Sequence, residues 1–442
     1  MFFCFIVFVN LLPLTIPLYK VYYRKDLNLF DFLMVFEAVF FLFIPLFKEI
    51  KSDDEILFRY FIIYTTFNYL SWSIGYLVDR LGRDTMLNIT RYLSRYKDFE
   101  INKTGQILLL LALIVIFAYY LPTQSLVLRF EQSRAVLSYS QSSIYLLLGA
   151  MNFIVSIIIS LVIVFDFFNN RKNIFNIILF TFFIIIALLG VRRNLIFSLL
   201  VFFVIIYSVR RDLFNRKFII ILSCATSFLL LIYFPFYNII RISPIIFDTN
   251  RPVESVIDII NYGIDNYDSK IDDASDSTDK RSLGLYNALY KACEKKPECQ
   301  WGTITISFIE KAIPRFISPN KASVEGGGDI ITKSLGTNKD IADSVLLSGV
   351  CEFGAFGGFY AAFMFLFVFI MYSLYSRIIE ICTSSVFVPV YIVFYLFNIC
   401  WNVEVLMTSF FSWFFSSLPI IVILYMFEKY HLIEVKMKFE TE

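Results

Sequence analysis

The sequence predicts an all-α integral membrane protein of about eleven transmembrane helices, in a range of 10–13, with one long, partly helical outer loop between the eighth and ninth. Three observations predict it. The 442 residues are 58% hydrophobic and only 17% charged, with a mean hydropathy of +0.70, outside the balance of soluble domains. Apolar stretches approaching the ~20 residues that span a bilayer as a helix recur along the chain. Polar residues, in contrast, concentrate in a single segment, 237–345. A net charge of +2 is uninformative as a total, because in a membrane protein the location of charge along the chain matters more than its sum, and nucleic-acid binding has no support.

The apolar stretches fall near 2–19, 29–47, 56–78, 106–121, 144–165, 174–190, 195–209, 218–236, 346–375, 386–400 and 410–427. The first has no basic region before it and no clear small-residue cleavage site, so it reads as a retained helix rather than a cleavable signal. Residues 174–209 read as one hairpin or as a pair of tilted helices. This gives three segments: a first bundle at 1–236, a loop at 237–345, and the last helices with a tail at 346–442. There is no internal repeat, and no matched pair of Gly/Pro-broken helices of the kind inverted-repeat transporters carry.

Orientation follows from the basic residues, which are retained on the cytoplasmic side. With the amino terminus outside, the inner loops and tail (20–28, 79–105, 166–173, 210–217, 376–385 and 428–442) hold 19 Lys and Arg, against 6 in the short outer loops (48–55, 122–143, 191–194 and 401–409). The carboxyl terminus is then inside, and the 109-residue segment 237–345 is outside. The sequons at Asn88 and Asn102 fall on the inner side and carry no weight. Within the long loop, Val253, Val256, Ile257, Ile260 and Ile264 follow helical spacing. So do Leu285, Tyr286, Leu289 and Tyr290, and a third stripe of Ile304, Phe308 and Ala312 is stopped by Pro314. Short amphipathic helices on the membrane surface are expected. Between them, the acidic run 265–280 has the composition of a mobile linker.

Of seven cysteines, five (Cys4, Cys224, Cys351, Cys382 and Cys400) lie in or beside apolar segments and read as packing residues. Cys293 and Cys299 sit in a polar run, where a disulfide or two free thiols are both open readings. The one histidine, His431, makes a histidine metal site or a Ser-His-Asp arrangement untenable.

The residues able to handle a charged substrate gather between Glu310 and Gly358. Arg315 follows the proline that ends an amphipathic stripe, with Lys311 before it and Lys321 after it. Arg241 lies just beyond the eighth apolar stretch, and Arg192 and Arg193 break the positive-inside pattern at an otherwise apolar hairpin. A guanidinium fork fits phosphate oxygens, so these are candidate anion-binding residues; the bland alternative is arginine snorkelling to lipid phosphates. The loop as a whole holds 13 basic and 16 acidic residues, so any basic patch is local. Glu325-Gly-Gly-Gly-Asp329 reads as a hinge or access loop, without the pattern of a phosphate-binding loop.

Glu352 stands among Gly349, Gly354, Gly357 and Gly358, which would permit close helix packing. It is a candidate general base or a partner for Arg192 or Arg315, with Asp343 and Asp329 as competitors for the base. Deeper in the bundle, a Glu37–Arg59 pair would be the structural account of two buried charges, and a proton or ion pathway through Asp31 and Glu37 the functional one.

Three elements, Gly190-Val191-Arg192-Arg193, Ile313-Pro314-Arg315-Phe316-Ile317-Ser318-Pro319-Asn320-Lys321 and Glu352-Phe353-Gly354-Ala355-Phe356-Gly357-Gly358, together with the helix layout, give a chain that resembles the bacterial Wzy-type O-antigen and oligosaccharide repeat-unit polymerases. It departs from the family's pattern at Asn320-Lys321-Ala322, where an acidic residue followed by Lys-Pro is usual, and Phe353-Gly354 lacks a preceding aromatic-Asn pair. The resemblance implies a glycosyltransferase of the bacterial inner membrane, with amino terminus and long loop periplasmic and carboxyl terminus cytoplasmic. It would use no nucleotide sugar, metal or other cofactor. It would transfer a growing glycan from one undecaprenyl-pyrophosphate carrier to a lipid-linked repeat unit on another, with Glu352 and Asp343 as catalytic candidates and Arg192, Arg193, Arg241, Arg315 and Lys321 binding the pyrophosphates. Membrane lipids and a chain-length regulator protein are the further partners implied. An O-antigen ligase is similar in architecture but carries a histidine in the long loop, where this chain has none. A polysaccharide transporter or flippase would need its key charges at mid-membrane, where Asp31 and Glu37 are the candidates.

Overall fold

The computed structural model describes residues 2–43, 54–81, 86–120, 143–171, 173–189, 192–214, 236, 239, 251–266, 284–313, 317–318, 325–336, 344–403 and 407–437, and is mostly helical, 82%. In chain order the helices are α1 (Phe2–Tyr22), α2 (Leu29–Ala38, continued by a π-helical turn Val39–Phe43), α3 (Asp54–Leu81) and α4 (Ile89–Leu93). Strand β1 (Tyr96–Ile101) precedes α5 (Lys103–Val115), α6 (Ser143–Phe168), α7 (Ile174–Leu189), α8 (Arg192–Val209) and α9 (Pro252–Asp265). Then come α10 (residues 284–295), α11 (Thr303–Ala312), α12 (Gly327–Ser334), α13 (Val345–Phe353), α14 (Gly357–Thr383), α15 (Phe387–Trp401), α16 (Met407–Lys429) and β2 (Ile433–Met437). Helices occupy ten of the eleven apolar stretches, and the eighth, 218–236, lies outside the described residues save its last position. By length and composition, Met151–Phe168 and Val345–Thr383 are helical runs able to cross a membrane.

The expected helical class holds, with one short β-pair added to it. β1 and β2 form an antiparallel pair, with Phe99 opposite Val435 and Ile101 opposite Ile433. Both segments alternate apolar and polar residues, Tyr-Lys-Asp-Phe-Glu-Ile and Ile-Glu-Val-Lys-Met, which is the period of a strand with one buried face.

Contacts divide the chain into two compact units, Met1–Tyr92 with Asp279–Val422, and Leu93–Thr278 with Ile423–Glu442. This division cuts across the three sequence segments. In the first unit, α14 packs on α3, α13 and α15, while α2 packs between α3 and α15. Small residues make the closest approaches. A Cβ on Gly349 would lie 2.5 Å from the Gly357 carbonyl oxygen, and one on Gly358 would collide with the Ile63 carbonyl oxygen of α3, so these glycines serve close helix packing as expected. Gly354, at φ +57°, turns the chain between α13 and α14.

At one end of this unit Lys20 bridges Asp31 (2.6 Å) and Asp79 (2.5 Å), joining α1, α2 and α3. Asn28 caps α2 reciprocally. Its side-chain oxygen accepts the Asp31 N–H at 2.9 Å, and the Asp31 carboxylate accepts the Asn28 N–H at 2.8 Å. The Leu29 N–H donates to Leu87 O at 2.9 Å and the Leu27 N–H to Thr90 Oγ1 at 2.8 Å, so segments 20–28 and 79–92 meet. Asn88 is buried there, which accounts structurally for that sequon.

In the second unit α6 packs against α7, α8 and β1. Arg171 pairs with Asp98 and, at 2.7 Å, with Glu100, while Lys436 on β2 reaches Glu100 at 3.5 Å. Burial opposes ionisation of Asp98, but the Arg171 guanidinium outweighs it and holds the carboxyl below its usual range. Asn102 caps α5 through its oxygen and donates its amide to His431 O at 2.7 Å, so the second sequon is also a structural element.

Candidate functional site

The described part of the Glu310–Gly358 stretch is organised by Glu352. Helix α11 begins at Gly302, which has no side chain to cap it, and φ is positive at both Trp301 (46°) and Gly302 (96°). The missing cap comes from 50 residues along the chain. The Gly302 N–H donates to Glu352 Oε2 at 2.5 Å, and the Thr305 N–H (2.6 Å) and Thr305 hydroxyl (2.8 Å) donate to Oε1. An anion at a helix amino terminus satisfies orphan amides and faces the positive end of the dipole. With the Thr305 proton given to Glu352, the Tyr360 hydroxyl, 2.5 Å away, donates to Thr305 Oγ1. The main chain reinforces the join, since the Gln300 and Trp301 N–H groups donate to Cys351 O and Glu352 O, each at 3.2 Å. Phe353 lies between Trp301 and Tyr360, with ring centroids 5.9 and 5.2 Å away.

Glu352 was expected as a base or as an arginine's partner. Here it is fully buried and its carboxyl accepts three hydrogen bonds from the start of α11, which fixes the start of that helix. Its effect passes along α11. Ile304, Phe308 and Ala312 are buried as their spacing requires, and Ile313 leaves the helix in an extended conformation, as a residue before proline must. Arg315 comes three residues after the helix ends. Glu352 therefore fixes the start of the helix that Ile313 leaves.

In the glycine run, Gly327 and Gly328 open helix α12, and a Cβ at Gly327 would lie 2.7 Å from the Phe308 ring. Asp329 is exposed in the first turn of α12, and Glu325 pairs with Lys333. The other long-loop helices form on the expected stripes. Leu285, Tyr286 and Leu289 of α10 are buried, while Ile257, Ile260 and Ile264 of α9 face outward.

Cys293 and Cys299 are free thiols, so the disulfide reading does not hold here; Cys293 is buried and burial pushes its thiol up to about 12. The expected Glu37–Arg59 pair does not form. Arg59 pairs with Glu55 one turn earlier on α3 and donates to Cys293 O at 3.4 Å, drawing it to the loop, while Glu37 stays buried.

Of the other candidates, Arg192 and Arg193 open α8, though nothing is described of their side chains, and Arg241, Arg315, Lys321 and Asp343 lie outside the described residues. A cavity of about 580 Å³ in the second unit is lined by Asp166, Asn170, Arg171 and Arg210 among others, but both arginines are already paired with carboxylates. Among the described residues no group of three or more His, Cys, Asp or Glu is placed to hold a metal. Comparison with protein-family models, curated proteins and solved structures finds no match.

Proposed function

We propose that the chain is a multi-pass membrane glycosyltransferase of about eleven spans that polymerises lipid-linked oligosaccharide repeat units on the outer face of a bacterial inner membrane. The observation that carries this reading is the contact of Glu352 with the start of α11, the helix that precedes Pro314-Arg315 in sequence, in a chain that also bears the Gly-x-Arg-Arg and Glu-x-x-x-x-Gly elements. In the proposed reaction an acceptor hydroxyl attacks the anomeric carbon of the donor glycan. The new C–O bond forms as the bond to the pyrophosphate oxygen breaks, and undecaprenyl pyrophosphate leaves with the electron pair. Arg315, with Lys321, Arg192, Arg193 and Arg241 as further candidates, neutralises that charge. Glu352 is the positioning residue, which leaves the acceptor's proton to Asp343.

The spanning layout has independent support. Segments assigned to one side of the membrane from their basic residues touch one another: 20–28 with 79–92, 166–173 with β1, and β1 with the tail strand β2. Arg59, near the opposite end of α3, meets the long loop at Cys293. On α14, Phe359, Phe363, Phe367, Ile370, Leu374, Ile378 and Ile381 are exposed at helical spacing, a stripe suited to lipid.

A strain lacking the gene is expected to carry surface polysaccharide of a single repeat unit. Chains of normal length would refute the reading, and loss of even the single unit would favour a flippase or ligase. In the complemented strain, Arg315→Ala and Arg192→Ala are expected to abolish extension at normal protein level. Purified protein given lipid-linked repeat units should yield multiples of the unit by mass.

A further inference from the structure

Glu37 is the buried charge that neither the fold nor the proposed reaction uses. It sits in the last turn of α2, just before the π-helical turn Val39–Phe43, an irregularity frequent at functional sites. It is 1% exposed, and its Oε2 has no hydrogen-bond partner among the described residues. A bare carboxylate in such a place is strongly disfavoured unless something compensates it.

Among the described residues, Lys20 and Arg59 are engaged elsewhere. Lys20 holds Asp31 and Asp79, about 9 Å away along α2 at ~1.5 Å per residue, and Arg59 is turned to Glu55 and the loop. Among the described residues, the titratable groups electrostatically close to Glu37 are hydroxyls and a thiol, Tyr60 and Tyr64 from α3 and Cys400 from α15, and the Tyr64 hydroxyl is itself buried without a partner among them. Tyr60 donates to Phe41 O within the π-helical turn at 2.8 Å, and Cys400 donates to Leu29 O. The species that fits a carboxyl in these surroundings is a proton.

We propose that Glu37 is a proton-binding site inside the first unit. The step is a simple protonation: carboxylate and one proton give the carboxylic acid, and no other bond changes. It does not depend on the polymerase reading.

Infrared spectroscopy of the purified full chain in lipid nanodiscs tests this. A carbonyl band of a protonated carboxylic acid is expected near neutral pH, lost in Glu37→Gln and moved in frequency in Glu37→Asp. Its absence from the wild-type minus Glu37→Gln difference would mean an ionised Glu37 and overturn the site. Dicyclohexylcarbodiimide, which attacks protonated carboxyls in apolar surroundings, provides a second reading. Mass mapping should find its adduct on Glu37 and none on the ion-paired Asp31. An adduct on Asp31 alone would count against the assignment.

Discussion

Replacing Glu352 by glutamine separates a positioning role from a basic one. The carboxylate accepts the Gly302 N–H, the Thr305 N–H and the Thr305 hydroxyl, and it is fully buried. Glutamine keeps one acceptor oxygen but turns an NH₂ group toward a buried donor, so at least one charged hydrogen bond is lost and one amide is left unpaired. Either change costs about 1–3 kcal/mol, giving a central expectation of about 2 kcal/mol. The loss falls on local opening of the α11 start, because only those amides depend on the clamp. At 1.4 kcal/mol per factor of ten, amide exchange of a peptide covering Trp301–Ala312 should speed up about 30-fold. Hydrogen–deuterium exchange read by mass spectrometry measures it, with the α15 peptides as an internal control. Exchange within about threefold of wild type would show that Glu352 does not hold α11. If chain extension were then lost while exchange stayed unchanged, the base role would be the better account.

Further outcomes follow from the same coordinates. Gly358→Ala drives a methyl group into the Ile63 carbonyl and should cost about 1–3 kcal/mol, seen as earlier thermal aggregation of the detergent-solubilised protein. The depressed Asp98 carboxyl contributes stability that is fully present above its unfolded value of 3.8 and is lost as pH falls through the lower folded value. Protease protection of the β1–β2 pair should therefore persist through mild acid and fail only below that range, and Asp98→Asn should abolish the dependence. With its thiol pushed up to about 12 and buried, Cys293 should resist maleimide in the folded protein while exposed Cys382 reacts, and both should label after denaturation.

Hydrophobic length located the helices, because the apolar stretches leave few other ways to satisfy a backbone. Contacts between distant segments were less legible. Glu37 and Arg59 looked like a pair because both are charges in neighbouring apolar helices, but Arg59 has Glu55 one turn away on its own helix and a loop carbonyl to cap. The Glu352 clamp left one trace: an apolar helix opening on Gly302 without a capping side chain implies a cap from elsewhere. Nothing in the sequence says that the acceptor lies 50 residues on. The strands were readable from alternation, but two short runs of five or six residues were outweighed by the helical remainder.

The β1–β2 ladder sets an order of events during synthesis. Tyr96 and its partner Met437 are about 340 residues apart, and a ribosome adding ~5–20 residues per second needs roughly 20–70 s to join them. Through that interval β1 stands as an unpaired edge beside a growing set of apolar helices, a state open to pairing with another chain. The second unit becomes complete only when its last strand is released, so slowing or blocking that last stretch should leave the nascent chain waiting with most of its helices already made.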